Sequence, residues 1–446
     1  MNSHETLELL RRHESRNVTY VDPAGGWPIV WERAQGCHVW DAEGRKYLDL
    51  TAAFGVAAAG HANPRVVRAG QRQMATLLHA MGDVHPHALK AQLARELSEL
   101  TFGRWAKAKG KAQSSKLKAP SEGKVIFCNS GFEAVEAALK TARLATGRAG
   151  IIAFEGGYHG LGYGALNATH REHFRGGFRD QLREFAQFVP FPQAGGSTLA
   201  EVEARLRSAF AAVPIGAILV EPIQARGGIH VPPAGFLPLL RRLADEHGTL
   251  LILDEIYTGF GRTGAWFACE HAGVIPDLIC LGKALTGGFP LSACVGRADV
   301  MDAAWPVSNG EAIHTSTFLG HPVGCAMALA QITELKAKKL VERTAKLGAW
   351  LTEELISTFE TRNSKLEIQI HGRGLMVGVK LLHRDGQPAS VESLAAIKEM
   401  LQRGFILLPE GEHANVIAFT PPLTITEAQL RRSVRELARV LKEQQP

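Results

Sequence analysis

The stretch LLILDEIYTGFGRTG (250–264) begins as an apolar run of strand type and ends on two carboxylates, Asp254 and Glu255. Further on, CLGKALTGG (280–288) sets Lys283 between Leu281 and Ala284, ahead of a Gly287-Gly288 pair. A carboxylate where a sheet is driest can do chemistry if it faces a protonated ring nitrogen, because each charge favours the ionised form of the other. A pyridinium so maintained is a strong electron sink. A partly desolvated lysine has a depressed pKa and is a good imine-forming nucleophile. A third component is CNSGFEAVEAALKTAR (128–143), where a strand ends and Ser130-Gly131 opens a helix. Free backbone N–H groups, a hydroxyl and the positive end of the helix dipole converge there on an anion such as a phosphate. Taken singly, Asp254 reads as a salt bridge or cap, Lys283 as a surface lysine and Ser130 as an ordinary N-cap. Together they describe a site for a phosphorylated, ring-containing cofactor. Neither G-x-x-x-x-G-K-[ST] nor a well-placed G-x-G-x-x-G is present, so nucleotide phosphate loops do not account for the cup.

These residues need a scaffold that brings strand ends together. From Lys124 to about Gly296 a short apolar run, a loop and an amphipathic helix recur. The strand candidates are KVIFCN, GIIAFE, GAILVE, TLLILDE, DLICLG and LSACVG, with helices such as LAEVEARLRSAFAAV and AGFLPLLRRLADEHG between them. Such alternation predicts an α/β fold with a mainly parallel sheet covered on both faces, whose ligands collect at the carboxyl ends of the strands. Asn129, Ser130, Tyr158, His159, Glu221, Asp254 and Lys283 all fall there. The expected division is residues 63–330 as a large domain, with 1–62 and 331–446 forming a smaller α+β domain. The segment PVGCAMALAQITELKAKKLVERTAKLGAWLTEELISTF reads as one long helix.

At 446 residues and 46% hydrophobic, the chain can bury a large core. No apolar run reaches the roughly 18 residues of a membrane span, and the charged start MNSHETLELLRRHESR is unlike a secretory signal, so a cytoplasmic location is expected. Six cysteines without a C-x-x-C pair fit reduced, buried thiols; no metal site is expected. The net charge of +6 is concentrated in RWAKAKGKAQSSKLK, which carries Arg104, Lys107, Lys109, Lys111, Lys116 and Lys118 and no acid. The insert 104–122 reads as a solvated loop rather than a nucleic-acid surface, and its deletion is expected to leave activity intact.

The motifs resemble those of the class III aminotransferases, which depend on pyridoxal 5′-phosphate: the group of acetylornithine, ornithine and 4-aminobutyrate transaminases. The resemblance runs in order through GCHVWDAEGRKYLDL, GHANPRVV, NSGFEAVEAALKTAR, FEGGYHG, VEPIQ, LDEIYTGFGRTG, GKALTGGFPLSA, HTSTFLGHPVGCAMALA, GRGLMVGV and FTPPLTITE. It implies fold-type I architecture and a homodimer with active sites shared between subunits. It makes Lys283 the Schiff-base lysine and Asp254 the partner of the pyridinium. Ser130, Gly131 and Phe132 take the phosphate-cup positions, Phe132 through its backbone N–H alone. Tyr158 stacks on the ring, Ile256 packs under it, and Thr317 reaches the phosphate in the neighbouring subunit. Glu221 is expected to support Asp254. His159 is open between a structural and a cofactor role, and His61 is expected to be structural.

The resemblance breaks where substrate is chosen. Relatives that handle glutamate carry an arginine where this chain has Ala418 and a masking glutamate where it has Arg226; Tyr257 replaces a glutamine of the ornithine-type enzymes. Arg226 and Phe54 are the candidate substrate contacts, Arg226 for a carboxylate. The implied reaction is ping-pong transfer of an amino group from an amine or ω-amino acid to a 2-oxo acid through a Schiff base at Lys283. The alternatives are a racemase, epimerase or aminomutase of the same family, and a noncatalytic binder of the cofactor.

Overall fold

The computed structural model describes residues 1–23, 25–110, 122–193, 195–360 and 366–444. Near the N-terminus, β1 (Trp31–Gln35), β2 (His38–Asp41) and β3 (Lys46–Asp49) form an antiparallel meander. The central sheet comprises β4 (Gly123–Cys128), β5 (Gly150–Phe154), β6 (Ala186–Val189), β7 (Ile215–Val220), β8 (Leu250–Asp254), β9 (Leu278–Leu281) and β10 (Ser292–Arg297), in the order β4-β10-β9-β8-β7-β5-β6. All six strands expected from the sequence are present. The seventh, β6, is an edge strand whose first three residues are only half-buried, so its apolar pattern is weak.

Pairing is parallel from β6 through β5, β7 and β8 to β9. These strands are sealed by helices on both faces, and β7 is buried at every residue. In contrast, β10 runs antiparallel to both β9 and β4. The connection 282–291 explains this: it is shorter than the crossover of a dozen or more residues that a parallel neighbour needs. That short return leaves Lys283 at the sheet's carboxyl edge.

Beyond the sheet the expected long helix is two, Pro322–Ala337 and Leu340–Glu360. The chain turns at Lys338-Lys339, where Lys339 has φ of +50°, and no glycine or proline marks the break. The C-terminal part supplies β11 (Leu366–Arg373), β12 (Met376–His383), β13 (Phe405–Ile406), β14 (Leu408–Glu410) and β15 (Val416–Phe419). Four of these form the sheet β11-β12-β15-β14, whereas β13 pairs parallel with β3 and ties the two chain ends together. The basic insert departs from expectation at its start. Residues Arg104–Gly110 are helical, and Trp105 is buried with its Nε1 donating to Glu270 Oε1 at 3.0 Å, beside an Arg104–Glu270 ion pair. Lys111, Lys116 and Lys118 lie outside the described residues.

Candidate active site

The adjacent carboxylates at the end of β8 serve opposite sides of the sheet edge. Glu255 is fully buried and accepts from the Thr258 hydroxyl and from the backbone N–H groups of Ala268 (2.9 Å) and Cys269 (2.8 Å). Burial pushes its pKa up to about 7 against these donors. It is a staple for the loop that follows. Asp254, 5% exposed, accepts from the N–H of Ile256 on Oδ1 (3.1 Å), and its Oδ2 lies 2.8 Å from Nδ1 of the buried His159.

His159 is therefore the hydrogen-bonded support of Asp254. Glu221, expected in that role, has no hydrogen bond to it. Its Oε1 accepts from the N–H of Tyr158 (2.9 Å) and its Oε2 from that of Ala225 (3.0 Å), so it fixes the Tyr158 backbone and the turn leading to Arg226. The Tyr-His dipeptide after β5 carried the signal for His159, because consecutive residues of an extended loop point to different sides.

Lys283 begins a single 3₁₀ turn, Lys283–Leu285, directly after β9, with φ of +43°. A bulky residue in that region is a strained backbone of the kind that clusters at functional sites. Its Nζ lies 4.1 Å from the centroid of the Tyr257 ring, over the π face that favours a cation. Desolvation lowers its pKa to about 8, although Asp254, Glu221 and Glu410 all pull the other way.

The cup is at the start of the helix Gly131–Thr146. The N–H groups of Asn129 and Ser130 are taken by the Glu133 carboxylate (2.6 and 3.3 Å), whereas those of Gly131 and Phe132, first in the helix, have no partner within it. The Ser130 hydroxyl is buried without a hydrogen-bond partner, and Ser292 Oγ donates to the Ser130 carbonyl at 2.6 Å, holding the loop. Ile256 joins the parts. A Cβ on Gly131 would lie 3.1 Å from its Cδ1, and one on Gly282, next to Lys283, 3.3 Å from its Cγ2. The two glycines let the side chain of a residue just past Asp254 pack against both the cup and the lysine.

Toward solvent, the substrate candidates diverge. Tyr158 is partly buried, with the Arg226 guanidinium 5.7 Å from its ring centroid. Arg226 Nε lies 3.6 Å from Glu410 Oε2, an ion pair longer than a hydrogen bond, and that Nε has no hydrogen-bond partner. Glu410, 5% exposed at the end of β14, was not legible in LLPEGEHAN, which reads as a surface turn. Tyr257 hydroxyl is 3.2 Å from Thr420 Oγ1. Ala418 is buried in one apolar cluster with Ile223, Ala225, Ile229 and Met376. Phe54 is half-exposed on a left-handed turn in which Ala52, Ala53 and Phe54 all have positive φ, packed near Tyr257 through Gly55. Thr317 is exposed, next to Ser316, whose Oγ accepts from Asn129 Nδ2 at 3.4 Å, and His61 bonds Asp49 at 2.6 Å.

Pyridoxal phosphate fits this arrangement: an unpartnered buried hydroxyl at a helix N-terminus suits its phosphate, a buried carboxylate its ring nitrogen, and an amine of lowered pKa its aldehyde. The aminotransferase class-III family model matches residues 20–441. The chain is 37% identical over 420 residues to the acetylornithine aminotransferase of Methanopyrus kandleri, covering 93% of this chain and 95% of that one. It is 33% identical over 453 residues to the 4-aminobutyrate aminotransferase GabT of Escherichia coli, covering 99% of both. Its structure superposes on an (S)-enantioselective omega-transaminase from Thermomicrobium roseum with a TM-score of 0.87, at 28% identity and 99% coverage of both chains. The chain belongs to the class-III aminotransferases and is a pyridoxal-phosphate-dependent transaminase.

Proposed function

We propose that the enzyme takes the amino group of an amine or ω-amino acid and delivers it to a carboxylated 2-oxo acid, in the cytoplasm and as a homodimer. The observation that carries this reading is the convergence at one sheet edge of a lysine of lowered pKa, a buried carboxylate backed by histidine, and an unsatisfied phosphate cup. When bound, pyridoxal phosphate supplies an aldehyde that condenses with amines and a cationic ring that draws electrons from the carbon being deprotonated.

The chain's own residues do the rest. Ser130 with the first N–H groups of its helix anchors the phosphate. Asp254, oriented by His159, would hold the ring nitrogen's proton, and Tyr158 and Ile256 would pack against the ring. Lys283, neutral in a substantial fraction near pH 8, would hold the cofactor's aldehyde and would serve as the base that moves the proton of the substrate carbon. Arg226 would take the substrate carboxylate from beside the position of Ala418, whose cluster includes Ala225.

The homodimer is supported by an exposed apolar patch. Leu77, Leu78, Met81 and Val84 are exposed on a loop whose His79 and Asp83 contact Phe318 and Thr315 of the segment carrying Thr317, on which Ile313 and Phe318 are exposed as well. An uncovered patch of this kind next to Thr317 fits a subunit contact through which Thr317 reaches the partner's phosphate cup. The reaction is tested by adding single amines to the holoenzyme and following its cofactor absorbance. A change with an amine alone, reversed by a 2-oxo acid, supports transamination. Turnover of a single substrate without any carbonyl partner would instead favour the isomerase alternative.

A further inference from the structure

One residue of the cup does not offer it a polar side chain. Phe132, second in the helix Gly131–Thr146 and 37% exposed, places an aromatic ring where a hydroxyl could join Ser130 in holding an anion. Its surroundings account for the ring. The loop that leaves β5 with Tyr158 and His159 continues through Gly160, Gly162 and Gly164, and all three glycines lie against one face of that helix. A Cβ on Gly160 would strike Phe132 Cβ, one on Gly162 would come 2.5 Å from Cδ2 of the ring, and one on Gly164 would strike the carboxylate of Glu136, a helical turn further on. Backbone pressed so closely on a side chain requires glycine, and Gly160 also has φ of +109°.

Hydrogen bonds close this contact. Glu136 Oε1 accepts from the N–H groups of Gly164 (2.8 Å) and Ala165 (3.0 Å), satisfying the start of the short helix Tyr163–Ala168. Just past that helix the chain returns to the loop through Thr169, which is fully buried. Its Oγ1 accepts from the N–H of His159 (2.9 Å) and donates to the Gly160 carbonyl (2.9 Å). Gly160 is thus held between Thr169 and Phe132, and the residue before it is His159, whose Nδ1 lies 2.8 Å from Asp254 Oδ2. Phe132 contributes no polar atom of its side chain to any of this; it contributes shape.

Resting on the reading of Asp254 and His159 above, we infer that Phe132 is a positioning residue, a wedge on which the Gly160–Gly162 backbone rests so that the imidazole of His159 meets Asp254. The helix that anchors the phosphate then also sets the support of the ring nitrogen, and both ends of the cofactor are referred to one rigid turn. Position 132 gives up a hydroxyl contact with the phosphate for control of the opposite end of the site.

The test uses holoenzyme and two readouts, the pH midpoint of the bound cofactor's absorbance and the rate of cofactor loss on dilution. Phe132→Thr supplies the hydroxyl and removes the ring. Its midpoint should move in the same direction as that of His159→Gln, by about half as much, and cofactor should be lost about tenfold faster despite the added hydroxyl. Phe132→Leu keeps apolar bulk beneath Gly162 and should retain the wild-type midpoint. Gly162→Ala attacks the same contact from the loop and should move the midpoint likewise. It should add nothing in the Phe132→Thr background, where the ring it would strike is gone. A wild-type midpoint in Phe132→Thr, whatever its rate of cofactor loss, overturns the inference, as do additive displacements in the double variant. If Phe132→Thr holds no cofactor, Gly162→Ala decides by the same criterion. A midpoint unmoved in His159→Gln defeats the support of Asp254 by His159 and the wedge with it, whereas a midpoint moved in that variant alone defeats only the wedge.

Discussion

At Asp254 the proposed interaction is a charge facing the cofactor ring, and its neighbours can be ranked by what they touch. Asp254→Asn keeps the shape and removes the charge, and should lower kcat by about 10²–10³-fold, the scale of losing one preorganised electrostatic contact. His159→Gln loses one hydrogen bond to a charged group, worth roughly ten- to a hundredfold. It should also move the pH titration of the bound cofactor's absorbance. Glu221→Gln should leave that titration where it is, because Glu221 bonds the backbone of Tyr158 and Ala225 rather than Asp254. Equal shifts in the two variants would mean that Glu221 supports Asp254 after all. For Lys283 the direction of the shift sets the pH dependence of loading. An ammonium is no nucleophile, and burial lowers this one to about 8, so apoenzyme should capture pyridoxal phosphate at a rate that rises with pH with a midpoint near 8 rather than above 10. Stopped-flow absorbance measures this, and a midpoint above 10 would mean that the amine is solvated.

At the scale of elements, the site depends on where strands stop. Asp254 closes β8, and Lys283 follows β9, its parallel neighbour in register Asp254 with Cys280. The apolar runs that made β4, β5, β7, β8, β9 and β10 legible also fixed which residues lie at their carboxyl ends, which is why the candidates Ser130, Tyr158, His159, Asp254 and Lys283 could be gathered at one sheet edge from sequence. The strand pattern alone did not separate the two neighbouring carboxylates; the family resemblance singled out Asp254, and the loop returning at Ala268-Cys269 encloses Glu255. Glu255→Ala should cost stability, about 1–3 kcal/mol for each buried donor left unpaired, seen as a lower denaturation midpoint. Glu410 was illegible for the same reason: its burial comes from β14 pairing with β15, far from the loop that carries Arg226. Ala418, on β15, sits in a closed apolar cluster with Met376 and Ile229. Ala418→Arg should therefore destabilise the fold by about 3 kcal/mol or more, through overpacking and an unpaired buried charge, instead of restoring glutamate recognition. A folded variant that gains glutamate turnover would show that this wall yields.

For the whole molecule, the two chain ends meet where β13 pairs with β3, and the central sheet lies between them in sequence. The repeated strand and helix pattern announced the large sheet. GCHVWDAEGRKYLDL reads as hairpin strands and β2 and β3 form that hairpin, whereas the helix break at Lys338-Lys339 carried no sequence signal, because it is set by tertiary packing. Thr317 is exposed and its neighbour Ser316 accepts from Asn129 Nδ2 at 3.4 Å, so the proposed dimer would use Thr317 for the partner's phosphate from a segment anchored beside the cup. Sedimentation should give twice the monomer mass, and Thr317→Ala should weaken cofactor retention without changing that mass. The measurement that tests the central claim most directly is borohydride reduction of the coloured holoenzyme followed by peptide mass mapping. Lys283 forming the bond to pyridoxal phosphate predicts one cofactor mass per chain, fixed on the peptide containing Lys283 and absent from Lys283→Ala. Label on another lysine, or none on a protein that holds the cofactor, would contradict it.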